Sequence, residues 1–134
     1  MKSILVLEYE SLEMGLLRDM LKEFKLIEAA DAEQALCLFS QHGRHLDLLL
    51  ADVTVPKSTG IQIALLFRSE IPNLPVILTS DSPVSDWTGR DYTDLERLGS
   101  SSVALLSKPV QGEILLKAIR DLLGLVPIEL ARTA

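Results

Sequence analysis

The chain has 134 residues, 48% of them hydrophobic, and a formal net charge of −6 at pH 7. This length fits one domain with a buried core, and the apolar content argues against intrinsic disorder. The acidic balance argues against nucleic acid as the main partner, because phosphate backbones require a basic surface, and favours a divalent cation or a basic protein surface. Cys37 is the single cysteine, so no disulfide framework is expected.

Membrane insertion and export are not expected from the hydropathy pattern. The sequence has no stretch that approaches the roughly 18 apolar residues of a membrane span. The first apolar run, residues 4–7, is too short for a signal peptide and reaches acidic residues at once. We therefore expect a cytoplasmic protein without a membrane partner.

Short apolar runs that are typical of buried strands alternate with helical segments. SILVL, residues 3–7, predicts the first strand, and an amphipathic segment follows it. KLIEA, residues 25–29, predicts a second strand, and Asp31 with Gln34 three positions later predicts the start of a second helix. The first amphipathic segment has apolar residues spaced for one helical face: Leu12, Leu16, Leu17, Met20, Leu21 and Phe24.

The second half of the chain continues the alternation. DLLLADV, residues 47–53, is an unbroken apolar run that is typical of a central strand covered on both faces. A third helix is predicted from about residue 61 to residue 69, and PVILTS and SSVALLS, residues 75–80 and 101–107, predict two more strands. A last helix is predicted over residues 110–123 with these side chains inward: Ile114, Leu115, Ala118, Ile119 and Leu122.

Residues 80–100 interrupt this rhythm with a polar stretch that contains proline and glycine. The stretch predicts a long loop with a short fourth helix over DYTDLERL, residues 91–98. The alternation as a whole predicts an α/β fold with a parallel sheet and helices on both faces. We expect one domain over residues 1–124, and a tail over residues 125–134 that is too short to form an output domain.

Polar side chains follow the carboxyl ends of the predicted strands, the edge at which open α/β sheets bind ligands. They are Glu8 and Glu10, Asp52, Thr79, and Lys108 before a proline. Acids grouped in this way can hold a metal ion, while a lysine and a hydroxyl can bind phosphoryl oxygens. A carboxylate among these groups can also act as a nucleophile and form an acyl phosphate.

Four of these segments together resemble the receiver domain of bacterial two-component response regulators, over about residues 2–123. ILVLEYES resembles the first strand of that family with its acidic pair, and DLLLADVTVPKSTG resembles the phosphoacceptor strand with the loop that follows. PVILTS resembles the strand with the switch hydroxyl, and SKP resembles the Lys-Pro motif. The four segments occur in the order and at the spacing of the family.

The resemblance implies a flavodoxin-like (βα)5 fold, a doubly wound parallel sheet of five strands in the order 2-1-3-4-5. It implies that Asp52 accepts a phosphoryl group from a histidine kinase or a phosphotransfer protein, and that Thr79 and Lys108 contact the phosphoryl oxygens. The Lys108–Pro109 bond is expected to be cis. Mg²⁺ would be held by Glu8, Asp52 and the backbone carbonyl of Thr54.

The same resemblance implies a signalling domain rather than an enzyme, with a downstream effector protein that responds to phosphorylation and with a homodimer as a further option. The sequence departs from the family at two positions. Tyr9 replaces the second acid of the acidic pair, and a neutral phenol is a poor Mg²⁺ ligand. We therefore expect weak metal binding, which Glu10 would improve only if its loop bends inward. Leu105 stands where the family usually has an aromatic residue.

The sequence is also compatible with two alternative functions. A degenerate pseudo-receiver would keep the fold and bind proteins without phosphorylation. A flavodoxin-like cofactor-binding domain is disfavoured, because the turn EYESLEMG lacks a glycine- and serine-rich phosphate cradle.

Overall fold

Five parallel strands form the central sheet of the computed structural model, which describes residues 1–125. Counting only the strands of this sheet, their spatial order is β2-β1-β3-β4-β5. The predicted fold class and strand order are therefore confirmed. The predicted tail lies outside the described residues, except for Leu125. The strands are β1 (Ser3–Leu7), β2 (Lys25–Ala29), β3 (Leu48–Asp52), β4 (Val76–Ser80) and β5 (Val103–Ser107).

Five helices cover the two faces of this sheet. Helices α1 and α5 pack on one face, and α2, α3 and α4 pack on the other. None of the helices in residues 1–125 has the length and hydropathy needed to cross a membrane. The helices are α1 (Ser11–Met20), α2 (Ala32–His42), α3 (Gly60–Glu70), α4 (Gly89–Leu98) and α5 (Gly112–Leu123).

The central strands are apolar throughout because helices cover both of their faces. In β1, Leu5 and Leu7 belong to the core beneath α2 and α3, whereas Ile4 and Val6 belong to the core beneath α1 and α5. Alternate side chains of a strand point to opposite faces, so a doubly covered strand needs apolar residues at every position. This packing fixes the positions of the carboxyl ends of the strands. It therefore also fixes where the residues that follow the strands lie.

Side-chain caps define three helix starts. Asp31 Oδ1 accepts a hydrogen bond from Gln34 N at 2.8 Å, which confirms the predicted start of α2. Thr59 caps α3 in the same way, and Thr88 caps α4. Helix α4 begins at Gly89, two residues before the predicted start, because Thr88 provides this cap.

The predicted inward face of α1 is wrong in part. Leu12 and Leu16 are 76% and 51% exposed, whereas Met14, Leu17 and Leu21 are buried. Residues 14, 17 and 21 follow helical spacing and form the stripe that meets the sheet, so residues 12 and 16 lie on the other side of the helix.

The predicted inward face of α5 needs one correction. Leu115 and Ile119 are fully buried, and Ala118 and Leu122 pack partly buried beside them. Ile114 is 51% exposed. It lies at the border of the buried stripe, where no helix of residues 1–125 covers it.

Candidate functional site

Four of the residues predicted from the strand ends lie together at the carboxyl edge of the sheet. Asp52 ends β3 and lies beside Thr79 of β4 in the strand register. Glu8 directly follows β1, and Lys108 directly follows β5. Glu8, Asp52 and Thr79 are each at most 4% exposed. The main chain fixes this arrangement, since Glu8 N donates to Ala29 O at 3.0 Å.

Lys108 is the centre of the site. Its Nζ lies 2.5 Å from Asp52 Oδ2, 3.0 Å from Glu8 Oε1 and 2.5 Å from Glu13 Oε2. The lysine side chain is only 6% exposed, and the Lys108–Pro109 peptide bond is cis, as predicted. Glu13, in the first turn of α1, was not among the residues predicted for the site.

The three carboxylates outnumber the ammonium group in this buried cluster. Burial alone would lower the pKa of Lys108, but its hydrogen bonds with Asp52, Glu13 and Glu8 raise that pKa well above its usual value. Burial raises the pKa of Glu8 to about 7, and the adjacent Glu13 carboxylate acts in the same direction. Partial burial would also raise the pKa of Glu13, but hydrogen bonds with Lys108 and Glu8 lower it. The cluster thus contains more negative charge than one lysine neutralises.

The loop after β3 holds the second oxygen of Asp52. Thr54 N donates to Asp52 Oδ1 at 3.0 Å, so one carboxylate oxygen faces the loop and the other faces Lys108. Gly60 N donates to Val53 O at 3.0 Å and draws the start of α3 against the strand end. A Cβ atom at Gly60 would lie 2.2 Å from the backbone oxygen of Asp52, so glycine is required for this close approach.

Tyr9 lies at the edge of this cluster and is 44% exposed. The neighbouring Glu10 carboxylate raises the pKa of Tyr9, so the phenolate form is even scarcer near neutral pH than in an isolated tyrosine. Glu10 is itself exposed, and its backbone N–H donates to Glu8 Oε2 at 3.0 Å. Neither residue therefore joins the group of carboxylates around Lys108.

The donor set of this edge fits a hard divalent cation. Glu8, Glu13 and Asp52 each offer an oxygen, and these oxygens all lie within 4.8 Å of one another. Such carboxylate oxygens are the ligands that Mg²⁺ and Ca²⁺ prefer. The structure thus brings together two of the predicted metal ligands, Glu8 and Asp52, and adds Glu13. Thr54 lies beside them with its N–H on Asp52, and the role predicted for its carbonyl stays a prediction.

Thr79 completes the group of predicted residues. It lines a groove at the strand ends together with Glu8, Glu13 and Lys108. A hydroxyl, an ammonium group and a carboxylate nucleophile at one sheet edge can together receive a phosphoryl group. Leu105, in contrast, lies on β5 away from this groove and is 38% exposed.

Comparisons with known protein sequences and solved structures give matches over almost the whole chain. The response regulator DivK of Brucella ovis is 27% identical over 128 residues, which cover 92% of this chain and 97% of DivK. A response regulator receiver domain of Clostridium thermocellum matches with a TM-score of 0.78 and 21% identity, over 92% of this chain and 95% of that one.

A receiver domain of Methanospirillum hungatei JF-1, described as CheY-like, also has a TM-score of 0.78, with 19% identity over 92% of this chain and 94% of that one. No protein-family model matches the sequence. The chain therefore has the fold of a response regulator receiver domain and is a distant relative of the response regulators.

Proposed function

We propose that this chain is a signalling receiver in a two-component phosphorelay and that Asp52 accepts its phosphoryl group from a histidine kinase or a phosphotransfer protein. The observation that supports the proposal most strongly is the contact of Asp52 Oδ2 with Lys108 Nζ, at the end of a buried strand and beside Thr79. Residues 1–124 are proposed as the receiver domain, with a signalling rather than an enzymatic role.

The proposed reaction forms one bond and breaks one bond. A carboxylate oxygen of Asp52 attacks the phosphorus of a phosphohistidine, and a P–O bond forms while the P–N bond breaks. The nitrogen keeps the electron pair of the broken bond and takes up a proton from water, so that the histidine leaves with a neutral imidazole. The product is an acyl phosphate on Asp52. Lys108, whose hydrogen bonds keep it protonated, neutralises part of the charge that the transferred group brings.

The residues at this edge also fit a magnesium ion. Glu8, Asp52 and the carbonyl of Thr54 are proposed to hold Mg²⁺, which would neutralise charge on the transferring phosphoryl group. The phenol of Tyr9 is a poor ligand, so we propose that binding is weaker than in a receiver with two adjacent acids.

Phosphorylation would change the charge balance around Lys108. The phosphoryl group adds about −1.5 to −2 charges at one point, and three acceptor oxygens come within reach of Lys108 and Thr79. Lys108 would then exchange part of its contact with Asp52 for a phosphoryl oxygen. We propose that a downstream effector protein responds to the resulting rearrangement and that homodimerisation is a further consequence.

The alternative functions receive less support from the site. A degenerate pseudo-receiver would not need a carboxylate, a lysine and a hydroxyl grouped at one edge, yet Asp52 contacts Lys108 and lies beside Thr79 in the strand register. The flavodoxin-like alternative requires a phosphate cradle after β1, but Glu8 and Glu10 occupy this turn.

Intact mass spectrometry tests the proposal. The protein is incubated with Mg²⁺ and acetyl phosphate, and we expect one phosphoryl adduct that is lost in Asp52→Asn. Asp81→Asn is the matched control, because Asp81 is an exposed acid that directly follows β4. No adduct on the wild-type protein, together with no binding of beryllofluoride, would contradict the proposal.

A further inference from the structure

We propose that Glu13 supplies the carboxylate that Tyr9 cannot supply, so that Glu8, Glu13 and Asp52 are the three carboxylates of the cation site, beside the carbonyl proposed for Thr54. Mg²⁺ and the ammonium group of Lys108 compete for these same carboxylates. The inference rests on the proposed function, since it concerns the metal used in phosphoryl transfer, but its test needs no phosphoryl transfer.

The first argument is the position of the Glu13 oxygens. Glu13 Oε2 lies 2.5 Å from Lys108 Nζ, as near as Asp52 Oδ2 and nearer than Glu8 Oε1. Three carboxylates from three separate elements of the fold therefore surround one point. A cation already occupies this point, in the form of the lysine ammonium group, so the oxygens are placed to bind positive charge.

The second argument is charge. Three carboxylates with one lysine leave an excess of two negative charges when all are ionised, and this excess equals the charge of one divalent ion. The side chains of Glu8 and Asp52 are 2% and 3% exposed, so water solvates them poorly. Uncompensated charge in a buried group is costly, and a bound divalent cation would remove this cost.

The third argument is the rotation of α1 about its own axis, which decides which of its residues face the sheet. Met14 and Leu17 point into the core, which turns Glu13 toward the sheet edge and leaves it one third exposed. Tyr9, next to Glu8 in sequence, is 44% exposed and is not among the contacts of Lys108. An acid from the helix therefore reaches the cluster that the tyrosine does not enter.

A purely structural role for Glu13 is the competing explanation. An acid in the first turn of a helix stabilises that helix, and Glu13 also pairs with Lys108. In that case the loss of its charge would lower stability slightly and would not change the affinity for a metal ion. Metal affinity is therefore the readout that separates the two roles.

Mg²⁺ titration of the full chain by isothermal titration calorimetry tests the inference. We expect Glu13→Gln to raise the Kd for Mg²⁺ roughly tenfold, because one of three charged ligands is lost. Glu10→Gln is the matched control, since it removes the same charge from an exposed residue near the site, and we expect a change within about twofold. Glu13→Asp, which keeps the charge on a shorter side chain, is expected to lie between the wild type and Glu13→Gln.

Rescue by an acid at position 9 provides the sharper test. Tyr9→Asp in the Glu13→Gln background is expected to restore most of the lost affinity, whereas Tyr9→Asp alone improves affinity by a smaller factor. Equal Kd values for Glu13→Gln and Glu10→Gln would overturn the inference, as would an equal effect of Tyr9→Asp in both backgrounds. A wild-type protein that binds no Mg²⁺ would also overturn it.

The two proposals can fail separately in these experiments. If Mg²⁺ affinity depends on Glu13 but Asp52 gains no phosphoryl adduct, then only the proposed function fails. If Asp52 is phosphorylated but Glu13→Gln leaves Mg²⁺ affinity unchanged, then only the role of Glu13 fails.

Discussion

A positively charged side chain lies at each of the two edges of the sheet, but the groups that surround these two side chains differ. At the carboxyl edge, three carboxylates surround Lys108. At the amino edge, the partners of the Arg68 guanidinium group within residues 1–125 are backbone carbonyl oxygens only, to which it donates at 2.9–3.1 Å. These oxygens belong to Leu74, Leu98, Ser101 and Ser102, which lie at the end of α4 and just before β4 and β5.

The pKa values follow from these partners. Burial lowers the pKa of Arg68 with no carboxylate to oppose it, whereas carboxylates raise the pKa of Lys108 despite burial. The partners of Arg68 are neutral main-chain carbonyl oxygens. The partners of Lys108 are carboxylates, whose negative charge a metal ion can also neutralise. We infer that Arg68 has a structural role, whereas exchange of partners at the Lys108 cluster is part of the proposed function.

The largest expected effect concerns the frame of the carboxyl edge. Gly60→Ala places a Cβ atom 2.2 Å from the backbone oxygen of Asp52, so either the strand end or the helix start must shift. We expect a loss of about 3–5 kcal/mol in the free energy of unfolding and impaired phosphorylation of Asp52. Urea denaturation and intact mass spectrometry measure the two effects.

Gly15→Ala is the matched control for this prediction. Beyond the adjacent residues and the backbone of α1 itself, no atom of the described residues lies within 4 Å of the Cβ position at Gly15, in the middle of α1. Alanine is the better helix former, so a gain of about 0.5–1 kcal/mol is expected there. Similar destabilisation by the two substitutions would contradict the close approach at Gly60.

The second prediction concerns the protonation of Glu8 at the carboxyl edge. EDTA is added so that no divalent cation is bound during the measurement. Because the pKa of Glu8 in the folded state is about 7, above the ordinary 4.5, protonation of Glu8 favours the folded protein. This contribution is complete below pH 4.5, is lost as the pH rises toward 7 and is constant above it. The wild type should lose on the order of 3 kcal/mol across this window relative to Glu8→Gln.

Denaturant unfolding at a series of pH values measures this difference. The contribution of Glu13 does not overlap this window, since its lowered pKa affects stability only below the ordinary value of 4.5. If the stabilities of the wild type and Glu8→Gln run parallel between pH 4.5 and 7, the raised pKa of the buried Glu8 carboxyl is refuted.

The third prediction concerns the amino edge. Arg68→Leu removes four hydrogen bonds to carbonyl oxygens, and partial exposure allows water to replace some of them. We expect a loss of about 2 kcal/mol in the free energy of unfolding, with little dependence on pH and with Mg²⁺ affinity unchanged. Changed Mg²⁺ affinity would show that the two edges are coupled.

An exposed arginine provides the control for Arg68. Arg18 makes two hydrogen bonds to Glu28 on the surface, where its side chain is 58% exposed. Solvent screens such surface pairs and they contribute little to stability, so Arg18→Leu should cost clearly less than Arg68→Leu. Equal costs for the two substitutions would contradict the structural role of Arg68.

Most of the site could be predicted because strand ends are visible in the sequence. The unbroken apolar run that leads to Asp52 predicts a buried central strand, and the residue after such a strand must lie at the carboxyl edge. The same reasoning places Glu8 and Lys108 there. Parallel strands of equal length end at one edge, so the sequence alone brings these residues together.

Glu13 could not be found in this way because it belongs to a helix. The side to which a helical residue points depends on the rotation of the helix about its own axis. A pattern that includes Leu12 and Leu16 in the inward face predicts the wrong rotation of α1 about its axis. The spacing of Met14 with Leu17 was the signal for the correct one, and it would have turned Glu13 toward the strand ends. Apolar residues on several sides of α1 made the sequence pattern ambiguous.

A crystal structure of the full chain with Mg²⁺ and beryllofluoride tests the central claim most directly. The account predicts that beryllofluoride binds to Asp52 and that Lys108 Nζ contacts one of its fluorine atoms. It also predicts Mg²⁺ at this edge, with oxygens of Glu8, Glu13 and Asp52 in or next to its coordination shell. Direct ligands are expected at about 2.1 Å from the ion. A structure with Lys108 still among the carboxylates, no metal at this edge and no beryllofluoride on Asp52 would contradict it.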